Sequence, residues 1–203
     1  MALARRYEKA VGTVVSTVHD AYADRCHKPS DICEYLPVLY ETTRRYPGVR
    51  VLELGTRKGN STLAFLAAAA EVRGHVHSVD ISPAVLRDPA GMKPWAKVPW
   101  WTFTCGDDLD PSVQSLLPAQ VDVLFLDTSH EYEATLAELK AYMPRVAPGG
   151  VAFFHDTKFT GWGGNPPDST RPEVAQALDV HCRKTGLSWE EIGGGYGMGV
   201  IWL

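Results

Sequence analysis

The chain has 203 residues, with 20 Lys and Arg against 24 Asp and Glu and a net charge of −4. That length suits one domain and buries roughly 70% of the unfolded surface without a disulfide or metal staple. A hydrophobic share of 45% against 22% charged excludes a disordered chain, and the acidic balance argues against a nucleic-acid partner held by phosphate neutralisation.

Cys26, Cys33, Cys105 and Cys182 form no Cys-x-x-Cys pair and are scattered along the chain. They read as reduced thiols of a cytoplasmic protein. The first twenty residues lack an uninterrupted apolar stretch, so no signal peptide is expected. The longest apolar run, residues 63–70, is far short of the roughly 20 residues of a membrane span.

In chain order, residues 3 to about 25 predict a helix with Leu3, Tyr7, Val11, Val14, Val15 and Val18 on one face. His27-Lys28-Pro29 breaks it. Ser30 or Asp31 can cap a second helix over 32–46, which Pro47-Gly48 ends. Residues 1–48 thus form a helical extension, a candidate cover for cofactor or acceptor, ahead of a domain over 49–203. In that domain strands alternate with helices. Strands are expected at 49–54, 75–79, 101–105, 121–126 and 151–154, the last following a turn at Pro148-Gly149-Gly150. Helices are expected at 59–70, 111–117, 132–146 and 173–184. Two final strands, 188–192 and 198–202, are joined by Gly193-Gly194-Gly195 and must be antiparallel. The pattern predicts an α/β fold. It is a Rossmann-like, doubly wound sheet of seven strands with an antiparallel terminal hairpin, plus two N-terminal helices.

In open α/β sheets ligands bind at the carboxyl ends of the strands. After the first strand stands Glu53-Leu54-Gly55-Thr56-Arg57-Lys58-Gly59-Asn60-Ser61-Thr62. Its Gly-x-x-x-Gly spacing is neither the dinucleotide fingerprint nor a phosphate-binding loop. Acids close strand after strand: Asp80, Asp107-Asp108, Asp127 and Asp156. A carboxylate after the second strand can accept from ribose hydroxyls, and one after the third from an adenine amino group.

The run VLELGTRKGNST, then SVDIS, CGDD, VDVLFLDTSHEY and APGGVAFFHDT resembles class I S-adenosylmethionine-dependent methyltransferases. Within them it is similar to the small-molecule O-methyltransferases, a branch that includes metal-dependent sugar and catechol-type enzymes. The resemblance covers roughly residues 49–203. It implies that Glu53, Gly55 and Gly59 shape the pocket for the methionine part of S-adenosylmethionine, with Thr56 beside them. It assigns ribose to Asp80 and adenine to Asp107 and Asp108. Ser61 has two readings, a helix cap (with Thr62) or a contact to the cofactor carboxylate. Arg57 is a candidate partner of that carboxylate, and Asp127 borders both cofactor and reaction centre.

Asp127 and Asp156 end neighbouring strands and can converge near the transferred methyl group. Hard oxygen ligands suit Mg²⁺ or another divalent cation. The branch resembled follows its fifth strand with two acidic or amide ligands, whereas this chain offers His155-Asp156-Thr157. His155, Thr157 or water is then the third ligand, and a histidine there moves preference toward a transition metal. His155 reads equally as a structural neighbour. His130, three residues past Asp127, matches the proposed base of related sugar methyltransferases; alternatively it caps the next helix or orders Asp127. Catalytic candidates are therefore His130, Asp127 and His155, and metal candidates are Asp127, Asp156 and His155.

The Gly/Pro-rich loop 158–172, with Trp162 and Arg171, is an acceptor-contact candidate or a plain connector. The three tryptophans between 95 and 101 suggest a lid or a homo-oligomer contact. The reading is an O-methyltransferase, divalent-metal-assisted, acting on a hydroxyl of a small sugar, phenol or natural-product intermediate. The alternative is a metal-independent O- or N-methyltransferase with His130 or His155 as base. A nicotinamide-dependent oxidoreductase fits the glycine spacing poorly. A non-catalytic cofactor-binding protein leaves Asp127, His130 and Asp156 without a use.

Overall fold

A computed structural model describes residues 2–87, 92–160 and 172–203, with the side chains of residues 2–11 and 93 excepted. The expected loop residues Trp162 and Arg171 lie outside the described residues. Helices α1 (Ala2–His27) and α2 (Leu36–Thr43) precede strand β1 (Arg50–Leu54). Then come α3 (Asn60–Val72), β2 (His75–Asp80), β3 (Trp101–Cys105), α4 (Pro111–Gln114) and β4 (Val121–Leu126). The chain continues through α5 (Tyr132–Tyr142), β5 (Val146–His155), α6 (Glu173–Thr185), β6 (Glu190–Ile192) and β7 (Met198–Trp202). Among the described residues no helix is long and apolar enough to cross a membrane.

The seven strands form one sheet in the order β3-β2-β1-β4-β5-β7-β6. The first five are parallel, and β7 lies antiparallel between β5 and β6. Side chains alternate between two cores, as a strand's period of two dictates. Val51, Val123, Phe125, Val151 and Phe153 face a core shared with residues of α1, α2 and α3. Leu52, Leu54, Leu124, Leu126 and Phe154 face the other, closed by α5 and α6. Chain order reverses between β1 and β4, which opens a crevice at their carboxyl ends.

The second helix is shorter than the 32–46 expected. Residues 31–35 are turns, α2 starts at Leu36, and Pro37 sits in its first turn. Proline has no N–H to continue a helix from an earlier turn, so it marks a start. Neither Ser30 nor Asp31 caps α2, whose N-cap is Tyr35 without a side-chain bond. Tyr35 instead crosses to the far end of the chain. Its hydroxyl donates to the Gly194 carbonyl at 2.5 Å and accepts from Gly197 N at 3.0 Å. Two of the three tryptophans turn inward. Trp100 donates to the Leu66 carbonyl at 3.1 Å and Trp101 to Ser78 Oγ at 2.9 Å, tying the sheet edge to its own core. The turn expected at 148–150 lies inside β5, where the pairing with β4 shifts register.

Two buried carboxyls stand behind the crevice. Glu53 is fully buried and accepts from Ser61 Oγ (2.6 Å), Thr62 Oγ1 (2.8 Å) and Ser78 Oγ (2.5 Å). Burial pushes its pKa up to about 7, against the pull of those three hydroxyls. Ser61 and Thr62 are therefore not helix caps; the N-cap of α3 is Gly59. On α5, Glu138 accepts from Thr128 Oγ1 at 2.6 Å, and burial raises it to about 8.

Two tests follow from this packing. A raised carboxyl keeps its proton in the folded chain after the unfolded chain has lost it. Stability from that group therefore falls as pH rises from the ordinary carboxylate range, and levels off above about 8 for Glu138. Glu138→Gln cannot ionise, so its melting temperature relative to the parent should climb by about 2–4 °C per kcal/mol recovered between pH 5 and pH 8.5. A flat difference across that range contradicts the assignment. Second, Gly55 has φ +86°, and a Cβ there would lie 1.9 Å from the Asp127 carbonyl oxygen. Gly55→Ala should cost about 2 kcal/mol or more in chemical denaturation, since backbone must move to admit it.

Candidate active site

The loop after β1 is held by Asp80 at the end of β2. Asp80 Oδ2 accepts from Thr56 N (2.9 Å), Thr56 Oγ1 (2.9 Å) and Arg57 N (3.0 Å), while Oδ1 accepts from Ser82 N (2.8 Å). Burial opposes the charge, but these bonds outweigh it and hold Asp80 below the usual carboxylate range. The residue expected to bind ribose thus shapes the glycine loop. The Arg57 guanidinium reaches the Asp31 carboxylate in the turn before α2. Asn60, at the start of α3, accepts from Arg25 Nη1 at 2.8 Å. The N-terminal segment is tied to the glycine loop at two points.

Between them lies a cavity of about 520 Å³. Of the expected cofactor residues, Thr56, Arg57, Ser61 and Asp127 line it, together with Ser30, Asp31, Asn60 and Tyr196. Glu53, Gly55, Gly59 and Asp80 shape the lining from behind, and Asp107 and Asp108 stand outside it. Asp107 Oδ1 accepts from Leu109 N at 2.9 Å. Asp108 Oδ2 is buried without a hydrogen-bond partner, and burial raises this carboxyl to about 6. Ser30 Oγ, on the cavity side, is likewise buried and unpartnered.

Around Asp127, the one residue of the group that lines the cavity, four side-chain atoms converge past the ends of β4 and β5. His130 Nε2 lies 3.1 Å from Asp127 Oδ1 and 2.9 Å from Asp156 Oδ2. His155 Nδ1 lies 3.4 Å from that Asp127 oxygen and 2.9 Å from that Asp156 oxygen. The other His155 nitrogen, Nε2, faces the Asp31 carbonyl at 3.3 Å. His155 is 1% exposed, whereas the His130 side chain is 28% exposed. Asp127, His130 and Asp156 each bring a donor atom within 4.8 Å of the others, the spacing of a cation site. The sequence reading had put His155, not His130, in that trio; the structure brings all four residues together.

Burial disfavours charge on all four groups, but their mutual bonds outweigh it. Asp127 and Asp156 are held below the ordinary range by His130 and His155. The two carboxylates in turn raise His130 to about 9 and His155 to about 10.

The backbone is unusual in the same place. Among the described residues four non-glycines have positive φ: Arg57, Arg73, His130 and Asp156. Arg73 caps the end of α3; Arg57 lines the cavity, and His130 and Asp156 meet Asp127 beside it. Left-handed φ costs a side-chain-bearing residue energy, so surrounding structure must enforce it. His130 precedes α5, whose N-cap is Glu131, and so is not its cap. The Phe159 ring stands edge-on to His130 at 5.9 Å, and Tyr196 lies 5.5 Å beyond Phe159.

The sequence offers residues 27–31 either as a segment closing over the cofactor or as a plain turn between helices, and Ser30 and Asp31 of that segment line the cavity; Asn60 as a lining residue and Tyr35 as an anchor were not read from it. The break at His27-Lys28-Pro29 was the one signal that a non-helical segment sits there.

The family model described as methyltransferase domain matches residues 52–157. No curated protein matches the chain. Among solved structures, an O-methyltransferase from Bacillus cereus in complex with SAH superposes with a TM-score of 0.68 at 15% identity, covering 94% of this chain and 91% of that one. The O-methyltransferase TomG from Streptomyces achromogenes, involved in tomaymycin synthesis and in complex with SAM, gives 0.68 at 16% identity over 94% and 89%. MycE methyltransferase from the mycinamycin pathway, in complex with Mg and SAH, gives 0.64 at 17% identity over 93% and 54%. These likenesses establish the fold. The family match spans more than half of the chain and covers the glycine loop, Asp80, Asp127 and the His155-Asp156 pair: the chain belongs to the methyltransferase domain family and is an S-adenosylmethionine-dependent methyltransferase.

Proposed function

We propose that the enzyme methylates a hydroxyl oxygen of a small molecule with a divalent cation assisting. The observation that carries this reading is the convergence of Asp127 Oδ1, Asp156 Oδ2, His130 Nε2 and His155 Nδ1 beside the cavity. The cofactor fits the residues present. The cavity lies within the about 300–1,000 Å³ of ligand sites, and Ser30 Oγ offers a buried polar atom in need of a partner. A cation fits as well, because two carboxylates aimed at one point call for positive charge. MycE, with its bound Mg, supports the same reading.

S-adenosylmethionine supplies the methyl group and leaves as S-adenosylhomocysteine when the acceptor oxygen attacks the methyl carbon and the sulfur keeps the bonding pair. A bound divalent ion supplies charge that stabilises the developing oxyanion. Asp127, Asp156 and His155 would hold that ion from the ends of β4 and β5. His130 takes the acceptor proton. It is the more exposed histidine, and a base must reach its substrate. A neutral His130 is needed, and cancelling the charge on Asp127 and Asp156 removes what raises it. Thr56, Arg57 and Ser61 stand where the cofactor enters, and Tyr196 walls the acceptor side.

One observation favours a metal-independent version. His130 and His155 already balance both carboxylates. Methyl transfer undiminished by a chelator would select that version.

The test is SAH formation from S-adenosylmethionine with a panel of catechols, phenols and sugars, run with and without chelator. His130→Ala should lower kcat by about 10²–10⁴ while SAH affinity, by calorimetry, stays within about threefold. Asp156→Ala should abolish methyl transfer and also spare SAH binding. An active Asp156→Ala enzyme contradicts the role given to this carboxylate.

A further inference from the structure

We propose that the centre between β4 and β5 takes a first-row transition-metal dication in preference to Mg²⁺, with His155 Nδ1 as a nitrogen ligand beside Asp127 and Asp156. The inference rests on the metal-assisted reading above and deepens it by naming the class of ion.

The two nitrogens of His155 have different duties. Nε2 faces the Asp31 carbonyl at 3.3 Å. A carbonyl only accepts, so the hydrogen sits on Nε2. Nδ1 points at the two carboxylates, 2.9 Å from Asp156 Oδ2 and 3.4 Å from Asp127 Oδ1, and donates its own hydrogen to them in the metal-free chain; a dication bound there would displace that proton and leave the Nε2 hydrogen on the carbonyl. This is the arrangement of a ligating histidine, which donates its far N–H to a carbonyl or carboxylate and turns the other nitrogen to the metal.

The ring is fixed in that pose. It is 1% exposed and ends β5, where His155 pairs with Met198 of β7. Tyr35 stands edge-on to it at 5.7 Å, with its own hydroxyl pinned between Gly194 and Gly197. His130 differs in each respect: it is partly exposed, lies in a loop, and has the Phe159 edge beside it. The buried histidine suits ligation and the open one proton transfer.

Donor chemistry then selects the ion. Mg²⁺ prefers oxygen ligands at near-ideal octahedral positions and keeps several waters. Imidazole suits later first-row ions, whose affinities for nitrogen sites rise from Mn²⁺ toward Cu²⁺. A sealed nitrogen in place of an oxygen donor penalises Mg²⁺ and favours Mn²⁺, Fe²⁺, Co²⁺ or Zn²⁺.

The experiment strips the full-length protein with chelator and titrates it by calorimetry with Mg²⁺, Mn²⁺ and Co²⁺. Co²⁺ should bind at least about tenfold more tightly than Mg²⁺. Pulsed EPR of the Mn²⁺-loaded protein should show coupling to an imidazole nitrogen. That coupling should persist in His130→Ala and vanish in His155→Asp, in which the gap between Co²⁺ and Mg²⁺ should also close. Because His155→Asp alters a buried site and can unfold the chain, the wild-type and His130→Ala spectra suffice to decide. Mg²⁺ binding as tightly as Co²⁺ without nitrogen coupling overturns the inference but leaves metal assistance standing. Coupling lost in His130→Ala also overturns it, by making His130 the ligand. If no cation binds and methyl transfer survives chelator, the metal-assisted reading itself falls.

Discussion

Two carboxylates that should repel are brought to one point, and much of the molecule is arranged around that constraint. Asp127 and Asp156 follow adjacent parallel strands, so their separation is set by strand spacing rather than by side-chain choice. One oxygen of each lies within 3.5 Å of the same histidine nitrogen, for His130 and for His155 alike. Bringing like charges into a half-buried cleft is unfavourable without positive charge between them. The histidines supply it in the chain as it stands. A dication, under the proposed reading, would supply the same charge and free a histidine for proton transfer.

The strain at the site belongs to the same account. Asp156 and His130 both take left-handed backbone, which costs energy at a non-glycine residue. The two side chains thus placed meet at the common point, His130 Nε2 2.9 Å from Asp156 Oδ2. Asp tolerates this conformation better than most residues. Behind the cleft, Glu53 and Glu138 are buried with hydroxyl partners and raised pKa values, so they add polar anchoring without full negative charge near Asp127. Ser61, Thr62 and Ser78 thereby fix the base of α3 and the ends of β1 and β2 through one carboxyl.

Much of this was legible in the sequence. The alternation of strands with helices points to the parallel sheet, and the glycine spacing to the strand-to-helix turn. The acids at the strand ends named the centre, because strand ends are where a parallel sheet gathers side chains. Other features were illegible for physical reasons. The start of α2 was misplaced because apolar spacing at Ile32 and Tyr35 mimics a helix, although Pro37 resets its origin. Ser61 and Thr62 look like caps from position alone; their true partner, Glu53, sits on a strand eight and nine residues away. The work of Asp80 on the glycine loop depends on backbone N–H groups, which leave no mark on the sequence. Tyr35 binding Gly194 and Gly197 spans nearly the whole chain, and no local pattern encodes such a contact.

Asp31 shows why the N-terminal segment matters to the chemistry. Its carboxylate pairs with Arg57 of the glycine loop, and its carbonyl faces His155 at the reaction centre. One residue of the turn before α2 thus touches both the glycine loop and the cluster of Asp127, His130, His155 and Asp156. Arg25 on Asn60 and Tyr35 on the Gly194–Gly197 turn hold the same segment at either end. The family core, 52–157, supplies strands, acids and glycine loop. The segment from 25 to 35 supplies the wall that seals His155 and fixes which of its nitrogens faces the carboxylates. A histidine in an open cleft could present either nitrogen and either protonation state. With the Asp31 carbonyl and the Tyr35 ring against it, His155 has one orientation, Nε2 on the carbonyl and Nδ1 toward the carboxylates, so residues outside the matched core orient a side chain inside it.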